Sequence, residues 1–112
     1  MDDRLELLEC FLDSMKDPYA FVDTKHVIRY VNKVAIERYR GKPGEVGRSI
    51  FECHNENSKR IILEVFECLK NGEDERLIED DEKERVFMRA VRDKKGNLLG
   101  YYERYEPPKQ ST

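Results

Sequence analysis

Arg85-Val86-Phe87-Met88-Arg89-Ala90-Val91-Arg92-Asp93-Lys94-Lys95-Gly96-Asn97-Leu98-Leu99-Gly100-Tyr101-Tyr102-Glu103-Arg104-Tyr105 is the stretch that decides the fold. It holds two runs rich in β-branched and aromatic residues, 85–93 and 98–105, which read as strong strands. Lys94-Lys95-Gly96-Asn97 joins them as a hairpin loop, with glycine for the positive φ such loops need. Just upstream, residues 76–80 form a weaker, charged strand. Glu79-Asp80-Asp81-Glu82 reads as a solvated turn.

Before these strands lies the longest helical pattern, residues 58–70. Ile61, Ile62, Val65, Phe66 and Leu69 fall on one face. Asn57 or Ser58 can cap its start, and Asn71-Gly72 ends it, glycine suiting the left-handed position past a helix C-terminus. Residues 40–48, with Gly41, Pro43, Gly44 and Gly47, are read as turns. Asn32 is a plausible N-cap for a short helix through Val34, Ala35, Ile36 and Tyr39. Residues 19–23 and 27–31 read as strands around a tight Thr24-Lys25-His26 connection, in which His26 is expected to be exposed. At the start, Leu5, Leu8, Leu12 and Met15 recur at helical spacing, predicting a helix over 4–15. Asp17-Pro18 stops it.

The order is helix, two strands, helices, three strands. The expected fold class is α+β: a five-stranded antiparallel sheet with helices on one face and an N-terminal flanking helix. The expected division is a flanking helix over 1–15, one domain over 16–106, and a tail over 107–112 that begins at Pro107-Pro108.

Composition bounds the function. The chain has 112 residues, enough for one core, and 38% of them are hydrophobic. Charged residues make up 40%, but Lys+Arg 21 against Asp+Glu 24 leaves a net charge of −3. That balance argues against a nucleic-acid partner, which calls for clustered positive charge. No run approaches the roughly 20 apolar residues of a membrane span, and Met1-Asp2-Asp3-Arg4 does not open a signal peptide. The three cysteines, Cys10, Cys53 and Cys68, form no C-x-x-C pair, so neither a disulfide framework nor a zinc site is expected. A reduced, cytoplasmic protein is the expectation. Cys10 and Cys68 fall in apolar helix patterns and read as packing residues. There is no phosphate-binding glycine loop, no H-E-x-x-H and no G-x-S-x-G, which favours a binding module over an enzyme.

Three local strings resemble the PAS family. Tyr19-Ala20-Phe21-Val22-Asp23 with Ile28-Arg29-Tyr30-Val31-Asn32 resembles its opening hairpin. Gly47-Arg48-Ser49-Ile50-Phe51 resembles the string before its long helix. Ala90 to Asn97, followed by Leu99-Gly100, resembles its closing hairpin. The resemblance spans residues 13–106. A narrower likeness, through Cys53-His54 and Ser58, is to a PAS subgroup found beside hemerythrin-like domains, although Asn55 and Glu56 stand where that subgroup has prolines. The resemblance implies a sensory, signal-transducing domain that binds a small ligand and relays it to a signalling partner protein. It also implies a homodimer through the N-terminal helix or the sheet face.

His54 is the leading site candidate. An imidazole can be an axial haem ligand, and haem needs an apolar slot. Haem-binding PAS domains resemble this arrangement, with Ile50, Phe51, Ile61, Ile62, Val65 and Met88 as the expected lining and His54 as the metal ligand. The alternative for His54 is a hydrogen bond within its loop. Cys53 could serve a cofactor or act as a redox thiol, since a neighbouring cation or helix N-terminus lowers a thiol pKa. A flavin adduct is not expected, because Ile50 stands where flavin-binding relatives have cysteine. The competing readings are a ligand-free dimerisation module and a thiol redox sensor.

Overall fold

The computed structural model describes residues 3–38 and 45–109, apart from the side chain of Cys53. Tyr39 and the predicted turn residues 40–44 lie outside them. The elements are α1 (Asp3–Asp13), β1 (Ala20–Asp23), β2 (Ile28–Val31), α2 (Lys33–Arg38), a 3-10 turn (Ile50–Cys53), α3 (Glu56–Lys70), β3 (Glu75–Asp80), β4 (Arg85–Arg92) and β5 (Leu98–Glu106). The strands form one sheet in the order β2-β1-β5-β4-β3, antiparallel at every pairing. The last strand in sequence therefore sits at the centre, between the two hairpins. Among the described residues, no helix is long and apolar enough to cross a membrane.

Local chemistry explains the boundaries. α3 starts two residues before its predicted position. Asn55, with extended backbone (φ −79°, ψ 175°), accepts the Ser58 N–H at 2.8 Å, so the cap is Asn55 and not Asn57 or Ser58. At the other end Gly72 turns to φ 107°. The Glu73 N–H then reaches Cys68 O and the Gly72 N–H reaches Leu69 O, both at 3.1 Å, a Schellman closure. Arg92 adds two bonds there, to Leu69 O (2.6 Å) and Glu73 O (2.9 Å). The three hairpin connections share a device in which one carboxylate holds backbone N–H groups two to four residues on. Asp23 takes Lys25 and Val27, Asp81 takes Lys83 and Glu84, and Asp93 takes Lys95 and Asn97. These bonds stabilise the ionised form, and each carboxyl lies below its ordinary range. The acidic run at 79–82 is only partly a turn, since Glu79 and Asp80 are still in β3.

The sheet's two faces differ. The inner face packs Val22, Ile28, Met88 and Tyr101 against Ile62, Val65, Phe66 and Leu69 of α3. The outer face carries an ion cluster. Arg104 grips Glu75 with two bonds (2.8 and 2.6 Å), Arg89 adds a third at 2.9 Å, and Arg104 also pairs with Glu106. The Arg104 guanidinium lies over the Phe87 ring, 4.1 Å from its centroid. Held chiefly by Arg104, the Glu75 carboxyl is pulled down to about 2.

α1 is the expected N-terminal flanking helix. None of its residues is buried. Leu5, Leu7, Leu8 and Phe11 are exposed, and so is Cys10, which is therefore not a packing residue. The helix is tethered at its end. Tyr30 Oη and the Lys33 N–H reach Asp13 Oδ1 at 3.1 and 3.0 Å, and Asn32 Nδ2 reaches Leu12 O at 2.9 Å.

Candidate functional site

Ser49 and Glu52 build the entry to the site. Ser49 accepts the Phe51 N–H and Glu52 accepts the Ser49 N–H, a capping box that shapes the short 3-10 turn. This turn delivers His54 directly before the Asn55 cap. His54 Nδ1 lies 2.9 Å from Ile50 O. A carbonyl only accepts, so Nδ1 carries a proton and the neutral ring would present Nε2 as an acceptor.

His54 lines a cavity of about 260 Å³ with Asn57, Ser58, Ile61 and Ile62 on the α3 side and Ile78, Glu79 and Glu103 on the sheet side. Glu103 is the unexpected member. On β5 it shares the inner side with Tyr101 and Tyr105, because side chains two apart point the same way. Its cross-strand neighbour, Met88, is 0% exposed. A carboxylate there is costly unless something compensates its charge. Burial pushes its carboxyl above the usual range, against the pull of His54 and of a Tyr105 Oη bond at 3.3 Å.

The residues expected to line a ligand slot divide. His54, Ile61 and Ile62 share this cavity. Val65 and Met88 are buried in the core, and Ile50 and Phe51 pack against it. Cys53 sits in the turn before His54. These residues do not fit a haem. The cavity is smaller than the roughly 300–1,000 Å³ of ordinary cofactor pockets, and two carboxylates face it where an apolar slot is required. Among the described residues, no group of three His, Cys, Asp or Glu side chains could hold a metal ion.

His26 also departs from expectation. Its backbone is left-handed (φ 65°), and its ring is half-buried among Phe51, Phe66 and Tyr101, at centroid distances of 4.9, 4.7 and 5.7 Å. Nδ1 lies 2.8 Å from Tyr101 Oη. Burial lowers the pKa of the ring, so a neutral imidazole is favoured in this aromatic setting. A second, apolar hollow of about 410 Å³ lies on the outer face, lined by Leu12, Met15, Tyr19, Ala20, Phe21, Tyr30, Val91 and Tyr102.

Sequence reasoning missed Glu103 and His26. A signal for Glu103 was present: it falls on the alternate positions Tyr101-x-Glu103-x-Tyr105, an inward register. His26 gave none, because a turn position does not disclose a left-handed backbone.

Comparison with known proteins agrees with this architecture. A family model described as a PAS domain matches residues 8–106. A C-terminal domain from Streptococcus mutans superimposes with a TM-score of 0.74 at 25% identity, over 92% of this chain and 84% of that one. A sensory box sensor histidine kinase from Vibrio cholerae gives 0.65 at 16% identity, covering 94% of this chain and 92% of that one. The PAS domain of BvgS from Bordetella pertussis gives 0.61 at 16% identity, covering 97% and 89%. No protein with a curated description matches. With the strand order, the helical middle on the inner face and the match across residues 8–106 in agreement, the chain belongs to the PAS domain family.

Proposed function

We propose that this PAS domain is a sensory module in signal transduction, with the His54–Glu103 cavity as its receptor site for a small polar ligand. The observation that carries the reading is a carboxylate on the core-facing side of the central strand, opening into a cavity against α3. Natural folds retain a desolvated charge where it has work to do, since an unpaired one costs stability. The likeness to a sensor histidine kinase agrees with a signalling role. The thiol reading falls on the Cys53 side chain, which lies outside the described residues.

Native mass spectrometry of freshly purified protein, followed by a thermal-shift screen of small polar metabolites, tests this reading. A ligand at about 100 times its Kd adds roughly 2.7 kcal/mol, equivalent to about 10 °C or more in a domain of this size. The shift should vanish in Ile61→Trp, which fills the cavity. Compounds that stabilise Ile61→Trp as much as the wild type would place binding elsewhere and sink the proposal.

A second reading, self-association through α1, is favoured by its apolar exposure: Leu7 is 66% and Phe11 59% exposed. Contiguous apolar surface of this kind marks an interaction site. The expected outcome is a dimer by light scattering at high concentration that becomes monomeric in Leu8→Glu/Phe11→Glu. A wild type that stays monomeric into the millimolar range would end that reading.

A further inference from the structure

The cavity's chemistry restricts its guest. Among the described residues, its polar lining comprises Glu79, Glu103, His54, Asn57 and Ser58, with no lysine or arginine. The Asn57 Oδ1 already accepts from Arg60 at 2.8 Å, outside the need of any guest. Ile61, Ile62 and Ile78 supply an apolar wall. The volume of about 260 Å³ lies below the roughly 300 Å³ at which drug-sized pockets begin. Only a small molecule would be enclosed.

From this lining we infer that the site takes a small organic cation, an alkylammonium whose charge meets Glu103 and Glu79 while its short chain lies on Ile61, Ile62 and Ile78. The inference rests on the sensor reading above and names the ligand class for that same cavity. An anion would face two carboxylates at close range. A neutral alcohol would bring no further countercharge to the buried Glu103.

The groups around Glu103 set the pH behaviour. Burial raises its pKa and Glu79 raises it further, while His54, the Tyr105 hydroxyl and Arg38 pull it down. Met88 across the ladder is neutral. Arg38 is itself committed, paired with Glu84 at 3.5 Å and set over the Tyr105 ring. With the net effect upward, the folded protein holds the Glu103 proton to higher pH than an unfolded chain would. An alkylammonium binds the ionised form, so binding releases a proton and strengthens as pH rises through that raised pKa.

The test uses the full chain and three probes of equal chain length: n-butylammonium chloride, n-butanol and sodium butyrate. Each is titrated while backbone amide NMR shifts are followed. n-Butylammonium should shift residues 54–62, 78–79 and 103 saturably, with affinity rising as the pH is raised. Glu103→Gln should weaken it at least about tenfold, as loss of a buried charge partner does, and Glu79→Gln should weaken it less. Glutamine is isosteric and brings no charge into the inner face, so an unchanged melting temperature separates lost binding from lost fold. If Glu103→Gln fails to fold, the wild-type pH profile and Glu79→Gln carry the test. Butanol or butyrate binding as tightly as the amine, or amine affinity indifferent to Glu103→Gln, overturns the cation inference and leaves the sensor reading standing. Failure of all three probes to bind overturns it too, while the sensor reading is still decided by its own metabolite screen.

Discussion

Gly100→Ala should destabilise the domain by about 3 kcal/mol or more, the upper range for overpacking and backbone collision. Gly100 lies where β5 meets β1, paired with Asp23 on one side and Val91 on the other. A Cβ built there would sit 2.1 Å from Val22 O and 2.7 and 2.9 Å from the Phe21 ring. The ring could turn away, but the carbonyl could not, because it belongs to a strand whose Val22 side chain is held in the core. Relief would require β1 to separate from β5, which joins the β2-β1 hairpin to the rest of the sheet. Gly96→Ala is the control. Gly96 has φ 91° but open space around its Cβ position, so only the backbone penalty of about 1–2 kcal/mol is expected. Urea denaturation of both variants checks the order. A Gly100→Ala midpoint no lower than that of Gly96→Ala would contradict the close approach.

Asn32→Ala should cost about 3–5 kcal/mol, through a cavity and several buried polar groups left without partners. Asn32 is 0% exposed and uses every hydrogen-bonding position of its carboxamide. Oδ1 accepts from Tyr19 at 2.9 Å and from Ala35 at 3.0 Å, while Nδ2 donates to Leu12 O at 2.9 Å and Asp17 O at 3.0 Å. One side chain thus caps α2, anchors the chain entering β1 and ties down the end of α1. Asn32→Asp separates these roles. Its carboxylate keeps both acceptor bonds but faces the Leu12 and Asp17 carbonyls with no proton to donate. It should be as damaging as alanine at neutral pH and recover in part as pH falls. Burial and the two facing carbonyls would raise that carboxyl's folded pKa, so its stability is retained below the unfolded value and lost as pH climbs through the folded one. Chemical denaturation at about pH 5 and about pH 7 reads this, and identical losses at both would refute the donor argument.

Much of the fold could be read from local chemistry. The β4–β5 hairpin was visible because alternation and a glycine loop agree, and α3 because its apolar positions share one face. The Asn32 cap was also evident, since its residue type has few other uses before a helix. The start of α3 was misplaced because Asn55, Asn57 and Ser58 are all competent caps, and only backbone geometry chose Asn55. The site was less legible. His54 and the α3 residues Ile61 and Ile62 line the candidate cavity, but its other wall comes from β3 and β5, far along the chain. Val65 and Met88 were assigned to it because apolar residues on one helix face or one strand look alike whether they line a hollow or fill a core. His26 was read as surface because its aromatic surroundings come from three distant segments.

Glu103 and Arg104 are consecutive on the central strand and face opposite sides of the sheet. Glu103 opens to the inner cavity, and Arg104 holds the outer cluster with Glu75 and Glu106. One peptide plane joins them, paired on one edge with Met88 and Phe87 of β4. β5 thus carries an inner and an outer charge on one short piece of backbone. If a guest at Glu103 and a protein on the outer ion cluster prefer different positions of that backbone, reciprocity requires each to alter the other's affinity by the same factor.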